Sequence, residues 1–298
     1  MIKEQSKDYV VRKKTRRGGD SAEEQAQSKT RSVGKQARLK KPKKQIWRLI
    51  LEVLMMLVWA GSSVIASQIV AGYLMLWMMG AENFNTPVAT AVYSALAYTV
   101  AVGLVVCVPA LITRKVRKPG SPKSKVKKRP TLVDRTTLGL RDLPTWTDIG
   151  LAPVGYIIYI LLAAGLVALF SALPWFNAAE AQEVGFSFQV SGFDRLVAFL
   201  TLVVIAPIAE EIIFRGWLYG SMREKIASRY SNTASIIISS LLVSLLFGIV
   251  HMQWNVGVNV FALSLVACGL REVTGTIYAG MLLHMVKNGV AFWLLYMV

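Results

Sequence analysis

LVAFLTLVVIAPIAEEIIFRGWLYG, residues 196–220, opens on an apolar run with two adjacent carboxylates, Glu210 and Glu211, set inside it. Residues 196–214 approach the ~20 apolar residues that a helix needs to cross the hydrocarbon layer of a bilayer. An ionised side chain at the centre of such a helix costs about 2.5–3.5 kcal/mol on insertion scales, so it turns to the bundle interior and finds a partner there. On a helix, Glu211 and Arg215 stand four apart in the favoured acid-before-base order and face each other. Glu210 is rotated about 100° from Glu211 and is left without that partner. A free carboxylate in low-dielectric surroundings can act as a base or orient a water. Pro207 lacks an N–H, which predicts a kink just before the pair and an unsatisfied carbonyl beside it. Gly216 leaves room for close contact on the far side.

Outward from this stretch the chain repeats the apolar theme. Uncharged or nearly uncharged runs occupy 53–81, 86–113, 149–175, 234–254, 256–270 and 275–298, which with 196–214 predicts about seven crossings. Of 298 residues, 54% are hydrophobic and only 17% charged. A soluble domain carries about 25% charged residues, so a soluble globular enzyme is excluded. The expected fold class is all-α, a polytopic transmembrane helical bundle.

The net charge of +17 does not indicate a nucleic-acid-binding domain, because it sits in two tracts. Residues 1–45 hold 15 Lys/Arg against 5 Asp/Glu, and residues 114–148 hold 11 against 3, which leaves the rest of the chain close to neutral. Short loops rich in Lys/Arg stay on the cytoplasmic side. The tail, the 114–148 loop and the 223–229 loop (Arg223, Lys225, Arg229) form the basic set, while Glu82, Glu180, Glu183 and Asp194 lie in the alternate loops. A multi-pass protein of the cell membrane is expected, with its N-terminus cytoplasmic and its C-terminus outside. Residues 1–45 and 119–130 are polar, low in aromatics and aperiodic, and read as disordered. Anionic lipid is a partner open to the basic tail, at about 1 kcal/mol per charge near the surface. A topology signal with no specific partner accounts for the same charge. Cys107 and Cys268 lie in apolar runs without a CxxC spacing, so neither a disulfide framework nor a thiolate zinc site is expected. The domain organisation predicted is a tail (1–45), N-terminal membrane helices (46–175) with the basic 114–148 loop, and a C-terminal membrane core (196–298).

The chain has only two histidines, both inside predicted membrane helices. FGIVHMQW, residues 247–254, sets Phe247 and His251 four apart on one face, with Gly248 making room for a neighbouring helix. GMLLHMVKN, residues 280–288, sets His284 and Asn288 four apart, and places a cation, Lys287, one residue before the asparagine. Each pair alone is compatible with a satisfied polar residue or with hydrogen-bonding glue between helices. Taken in order on separate helices, the three segments resemble the CAAX protease and bacteriocin-processing (CPBP, or Abi) family of intramembrane proteases, which includes the type II CAAX prenyl endopeptidase. The family pattern is EExxxR, FxxxH and HxxxN. It is met by Glu210-Glu211 with Arg215, by Phe247 with His251, and by His284 with Asn288. The likeness covers roughly residues 196–297; the first three helices carry no motif.

The resemblance implies an intramembrane endopeptidase for a membrane-embedded or lipidated peptide or protein, of the CAAX type or of the leader or bacteriocin type. It implies Glu210, His251, His284 and Asn288 as catalytic residues, supported by Glu211, Arg215 and Phe247. Glu210 and His251 would hold and deprotonate a water, and His284 and Asn288 would orient the carbonyl or stabilise the oxyanion. A divalent metal such as zinc, held by Glu210, His251 and His284, is the alternative cofactor chemistry, since one carboxylate and two imidazoles match a catalytic zinc set. Against it, the three residues come from distant stretches without a local HExxH pairing, and the metal would consume the best base. Two other functions share these features: a non-enzymatic bacteriocin-immunity or scaffold protein, and a proton-coupled transporter using the same buried groups. No internal repeat supports the transporter.

Overall fold

A computed structural model describes residues 43–80, 86–116, 135–140, 143–180 and 192–297. The segments 1–42 and 119–130, expected to be disordered, lie outside the described residues, while 43–45 already belong to the first helix. All the regular structure described is helical, in seven helices. They are α1 (Lys43–Met79), α2 (87–116), α3 (Trp146–Phe170), α4 (Gly192–Ala227), α5 (Asn232–Ile249), α6 (Trp254–Thr274) and α7 (Tyr278–Tyr296). Six of them, α1 to α6, are long and apolar enough to cross a membrane. The protein is a multi-pass membrane protein. Only α7, which carries His284, Lys287 and Asn288, falls outside that group.

Local chemistry sets the helix ends. Pro87 opens α2 behind a Thr86 side chain that accepts from the Ala89 N–H, and Thr145 with Asp148 forms a reciprocal capping box on α3. Gly275, at φ +72°, closes α6 in the left-handed conformation that an L side chain resists. The fourth apolar run was expected to stop at Phe214, yet α4 continues for 36 residues to Ala227. The charges that end the run by hydropathy are paired instead, Arg215 inside the bundle and Arg223 and Lys225 at its partly exposed edge. Arg215 bonds within α4 itself, Arg223 donates to Glu272 at 2.7 Å, and Lys225 meets Glu52 at 3.0 Å. The 223–229 segment is therefore mostly the last turns of α4, and the chain turns only at 228–231.

Up to Leu51 the described residues are the first turns of α1. From Glu52 onward the described residues form one compact unit. Its centre is α4 and α6, the two helices with the largest buried share. α6 packs against α3, α5 and α7, and the first half of α4 packs against α2 and α7. Alanine is the commonest buried apolar residue (Ala60, Ala89, Ala97, Ala198, Ala262, Ala267 and Ala279 among them), whereas many large ones such as Val58, Trp77 and Leu161 point outward. Lipid tails are as apolar as leucine, so helices associate through close contact of small side chains rather than through burial of large ones. The closest crossing joins α5 and α6: a Cβ on Gly248 would lie 2.9 Å from the Gly257 carbonyl oxygen. That is the room for a neighbouring helix expected at Gly248. α7 uses two stretches of its length. Leu283 packs with Tyr159 and Leu263, while Phe292 and Tyr296 pack with Ala91 and Val203. His284 and Asn288 lie between.

Part of the basic 114–148 segment docks on this unit. Leu138 is buried, the Thr137 carbonyl accepts from Arg271 at 2.6 Å, and the Gly139 carbonyl accepts from the Ile277 N–H at 3.2 Å.

Candidate active site

α4 carries the site on a distorted backbone. Two stretches, Leu200–Ile205 and Glu211–Tyr219, are π-helical, and they flank Ala206–Glu210. π segments are rare and concentrate at functional positions. In the first, the Ala206 N–H bonds to the Thr201 carbonyl, one residue beyond the α-helical partner. The Leu202 carbonyl thereby loses its α-helical donor. The π-register donor would be residue 207, a proline with no N–H. Asn288 on α7 fills the place, its Nδ2 donating to Leu202 O at 2.8 Å. The carbonyl that Pro207 was expected to orphan is thus satisfied from another helix. Asn288 itself is committed to the backbone of α4.

Glu211 and Arg215 form the expected ion pair, Nη1 to Oε1 at 3.0 Å, with both side chains fully buried. Glu211 Oε1 also lies 3.2 Å from His284 Nδ1, and Oε2 lies against α7, where a Cβ on Gly280 would stand only 3.1 Å away. Glu210 was expected to be without a local partner, and the bundle supplies two. The Tyr98 hydroxyl on α2 donates to Oε1 at 2.7 Å, and His284 Nε2 stands 3.7 Å from Oε2. The two carboxylates, pointed apart by helical periodicity, therefore converge on one buried imidazole. Lys287, one turn beyond His284, acts electrostatically on both Glu210 and His251, yet makes no ion pair within 4.0 Å among the described residues.

His251 does not lie inside a membrane helix. α5 ends at Ile249, and His251 sits in the following turn. Its Nδ1 donates to the Phe247 carbonyl at 2.7 Å, one of the carbonyls that a helix end leaves without an internal donor. With Nδ1 so engaged, Nε2 carries the lone pair. The next residue, Met252, has φ +57°, a left-handed conformation costly for an L side chain that fixes the path of the turn. Phe247 is the platform beneath the cluster. It is fully buried, with the Arg215 guanidinium 4.3 Å over its ring and the rings of His251 and His284 meeting it edge-on at 4.9 and 6.0 Å.

A cavity of about 160 Å³ opens beside these groups, with Glu210, His251, Tyr98, Ser67 and Gln68 as its polar lining. It has room for several waters, whose share of liquid volume is about 30 Å³ each. His284 and Asn288 stand outside this lining, behind Glu210 and on α4 respectively. On the other face of the α5 end lies a larger, almost wholly apolar cavity of about 390 Å³, bordered by Gly248, Met252, Trp254 and Phe261. Among the described residues, no three of His, Cys, Asp and Glu are gathered to hold a metal ion. His284 turns Nδ1 toward Glu211 Oε1 at 3.2 Å and Nε2 toward Glu210 Oε2 at 3.7 Å, the latter beyond hydrogen-bond distance.

Tyr98 is the site residue that the sequence did not disclose. It is one of ten tyrosines, in an apolar run without a motif, and only the fold brings it to Glu210. No curated protein and no solved structure matches the chain. The segment that carries Glu210, His251, His284 and Asn288 does match a family: residues 192–290, about a third of the chain, match the model of the type II CAAX prenyl endopeptidase Rce1-like family.

Proposed function

We propose that the chain is an intramembrane endopeptidase that hydrolyses a peptide bond near the lipidated end of a membrane-associated substrate, with Glu210 as general base. The observation that carries this reading is the shared cavity, in which Glu210 and the turn-borne His251 border one small space inside the bundle. A water there gives one hydrogen bond to His251 Nε2 and its other proton to Glu210. The oxygen attacks the scissile carbonyl carbon, the C–N bond breaks, and Glu210 returns the proton to the leaving amine. His284 braces Glu210 against Glu211, and Asn288 acts through the backbone of α4. The metal-free route is favoured because a metal held by Glu210 would consume the carboxylate that lines the cavity beside His251.

The match to the Rce1-like family points to prenylated substrates. The apolar cavity on the opposite face of the α5 end supports this, since it offers hydrocarbon-lined volume bordered by Met252, the residue after His251. The basic tracts support a cytoplasmic N-terminus. The test is cleavage of a farnesylated CAAX-type peptide by the purified full chain in micelles. Glu210→Ala and His251→Ala are expected to abolish cleavage with the unfolding temperature unchanged. Retained cleavage in either overturns the reading. Chelator is expected to leave the rate unchanged, and a loss restored by zinc returns the mechanism to metal.

A further inference from the structure

The matched domain ends short of α2, yet α2 supplies the hydrogen bond that holds the proposed base. Glu210 Oε1 accepts from the Tyr98 hydroxyl at 2.7 Å, while Oε2 lies toward His284 Nε2 at 3.7 Å, too far for a hydrogen bond. The two oxygens of one carboxylate are therefore inequivalent. Tyr98 lines the same cavity as Glu210 and His251, with Ala97 and Ala101 of α2 beside it, so its hydroxyl stands at the wall of the reaction space.

We infer that Tyr98 is a positioning residue for the hydrolysis: by holding Oε1 it fixes the rotation of the Glu210 carboxylate at the cavity wall, where the water proton is taken. This rests on the reading of Glu210 as general base. The consequence follows through the whole cycle. A carboxylate free to rotate presents either oxygen to the water and can carry the abstracted proton on the edge that faces away from the substrate. With the rotation fixed, the proton taken from the water stays on the edge of the carboxylate that borders the cavity and is delivered from there to the leaving nitrogen. Atoms balance without a further donor, because Tyr98 keeps its own proton throughout. A hydrogen bond to a charged group is among the stronger ones, so its loss has a measurable effect on rate. It also gives the motif-free N-terminal helices a chemical role: α2 completes a site whose motif residues lie on α4, on α7 and in the turn after α5.

The test uses the full chain in micelles with the farnesylated CAAX-type peptide as probe, and compares Tyr98→Phe with wild type and with Glu210→Ala. The Phe variant keeps the ring and removes only the hydroxyl. A loss of about 10- to 100-fold in kcat is expected, the range for one hydrogen bond to a charged group. KM is expected to stay within about twofold and the unfolding temperature unchanged. Wild-type kcat in Tyr98→Phe beside an inactive Glu210→Ala overturns the role of Tyr98 and leaves the base standing. A fall in kcat matched by a fall in unfolding temperature also overturns it, because the residue is then structural. Activity retained in Glu210→Ala removes the base and Tyr98 with it.

Discussion

The Asn288 side-chain amide donates to the Leu202 carbonyl at 2.8 Å, from α7 across to α4. The bond occupies a gap left by the backbone itself. The π turn shifts the Ala206 N–H to Thr201, and Pro207 has no hydrogen to give. Without Asn288, a carbonyl in a membrane-embedded bundle has no donor, the costliest environment for an unmet backbone group. Pro207 lies three residues before Glu210, so the position of the base depends on how this turn is held.

Replacing the asparagine tests that dependence. Asn288→Ala is expected to cost about 1–3 kcal/mol, the penalty of a buried acceptor left unsatisfied. Pro207→Ala restores an N–H that can reach Leu202 O, so the double variant Asn288→Ala/Pro207→Ala should recover much of the loss. The unfolding temperature in micelles, measured for both singles and the double, gives the coupling. Strictly additive losses would show that the two residues do not serve the same carbonyl.

The i, i+4 spacings in the sequence were enough to find Glu211 with Arg215, and Phe247 beneath His251, because side chains four apart on a helix must meet. Gly248 was legible as a close crossing for the same reason, since only hydrogen fits there. Contacts made between helices were not legible. Tyr98 reaches Glu210 across 112 positions, and nothing local sets it apart from other tyrosines. The length of α4 was missed because hydropathy treats Arg223 and Lys225 as solvated, whereas Glu272 and Glu52 neutralise them. Periodicity also misdirected in one instance. It turned Glu210 away from Glu211, but a histidine from another helix bridges both.

Phe247 serves three groups at once, which makes it the most sensitive apolar residue of the site. Phe247→Leu keeps an apolar side chain but removes the ring face under Arg215 and the edges that seat His251 and His284. A desolvated cation–π contact is worth about 2 kcal/mol, and a loss of that order in stability is expected. Cleavage of the farnesylated peptide should fall by more than the folded fraction does, since both imidazoles lose their seat. Equal falls in the two would reduce Phe247 to a packing residue.

Two glycines separate packing from chemistry. A Cβ at Gly248 meets the backbone oxygen of Gly257 at 2.9 Å, which cannot yield unless α5 and α6 move apart. Gly248→Ala is expected to destabilise by about 1–3 kcal/mol, the range for overpacking. A Cβ at Gly280 meets the Glu211 carboxylate oxygen at 3.1 Å and Ala267 Cβ at an ordinary contact distance of 3.4 Å. Gly280→Ala should therefore lower the unfolding temperature less and the rate of cleavage more, by disturbing the carboxylate that holds Arg215 and His284. The reverse ranking in a side-by-side melt and rate measurement would show that Glu211 is not a sensitive support of the site.

Stability and catalysis are expected to part at the buried ion pair. Arg215 and Glu211 are both fully enclosed, so removing either alone strands a charge in the bundle at about 3–5 kcal/mol. Glu211→Gln and Arg215→Met should each unfold well below wild type. The double variant Glu211→Leu/Arg215→Met replaces the pair with apolar volume, an exchange that is often neutral or stabilising. Its unfolding temperature should return toward wild type. Its activity should not, because His284 Nδ1 loses the Glu211 oxygen 3.2 Å away and can no longer brace Glu210. Recovery of both stability and cleavage in the double variant would show that Glu211 serves the fold alone, and that His284 holds its place without it.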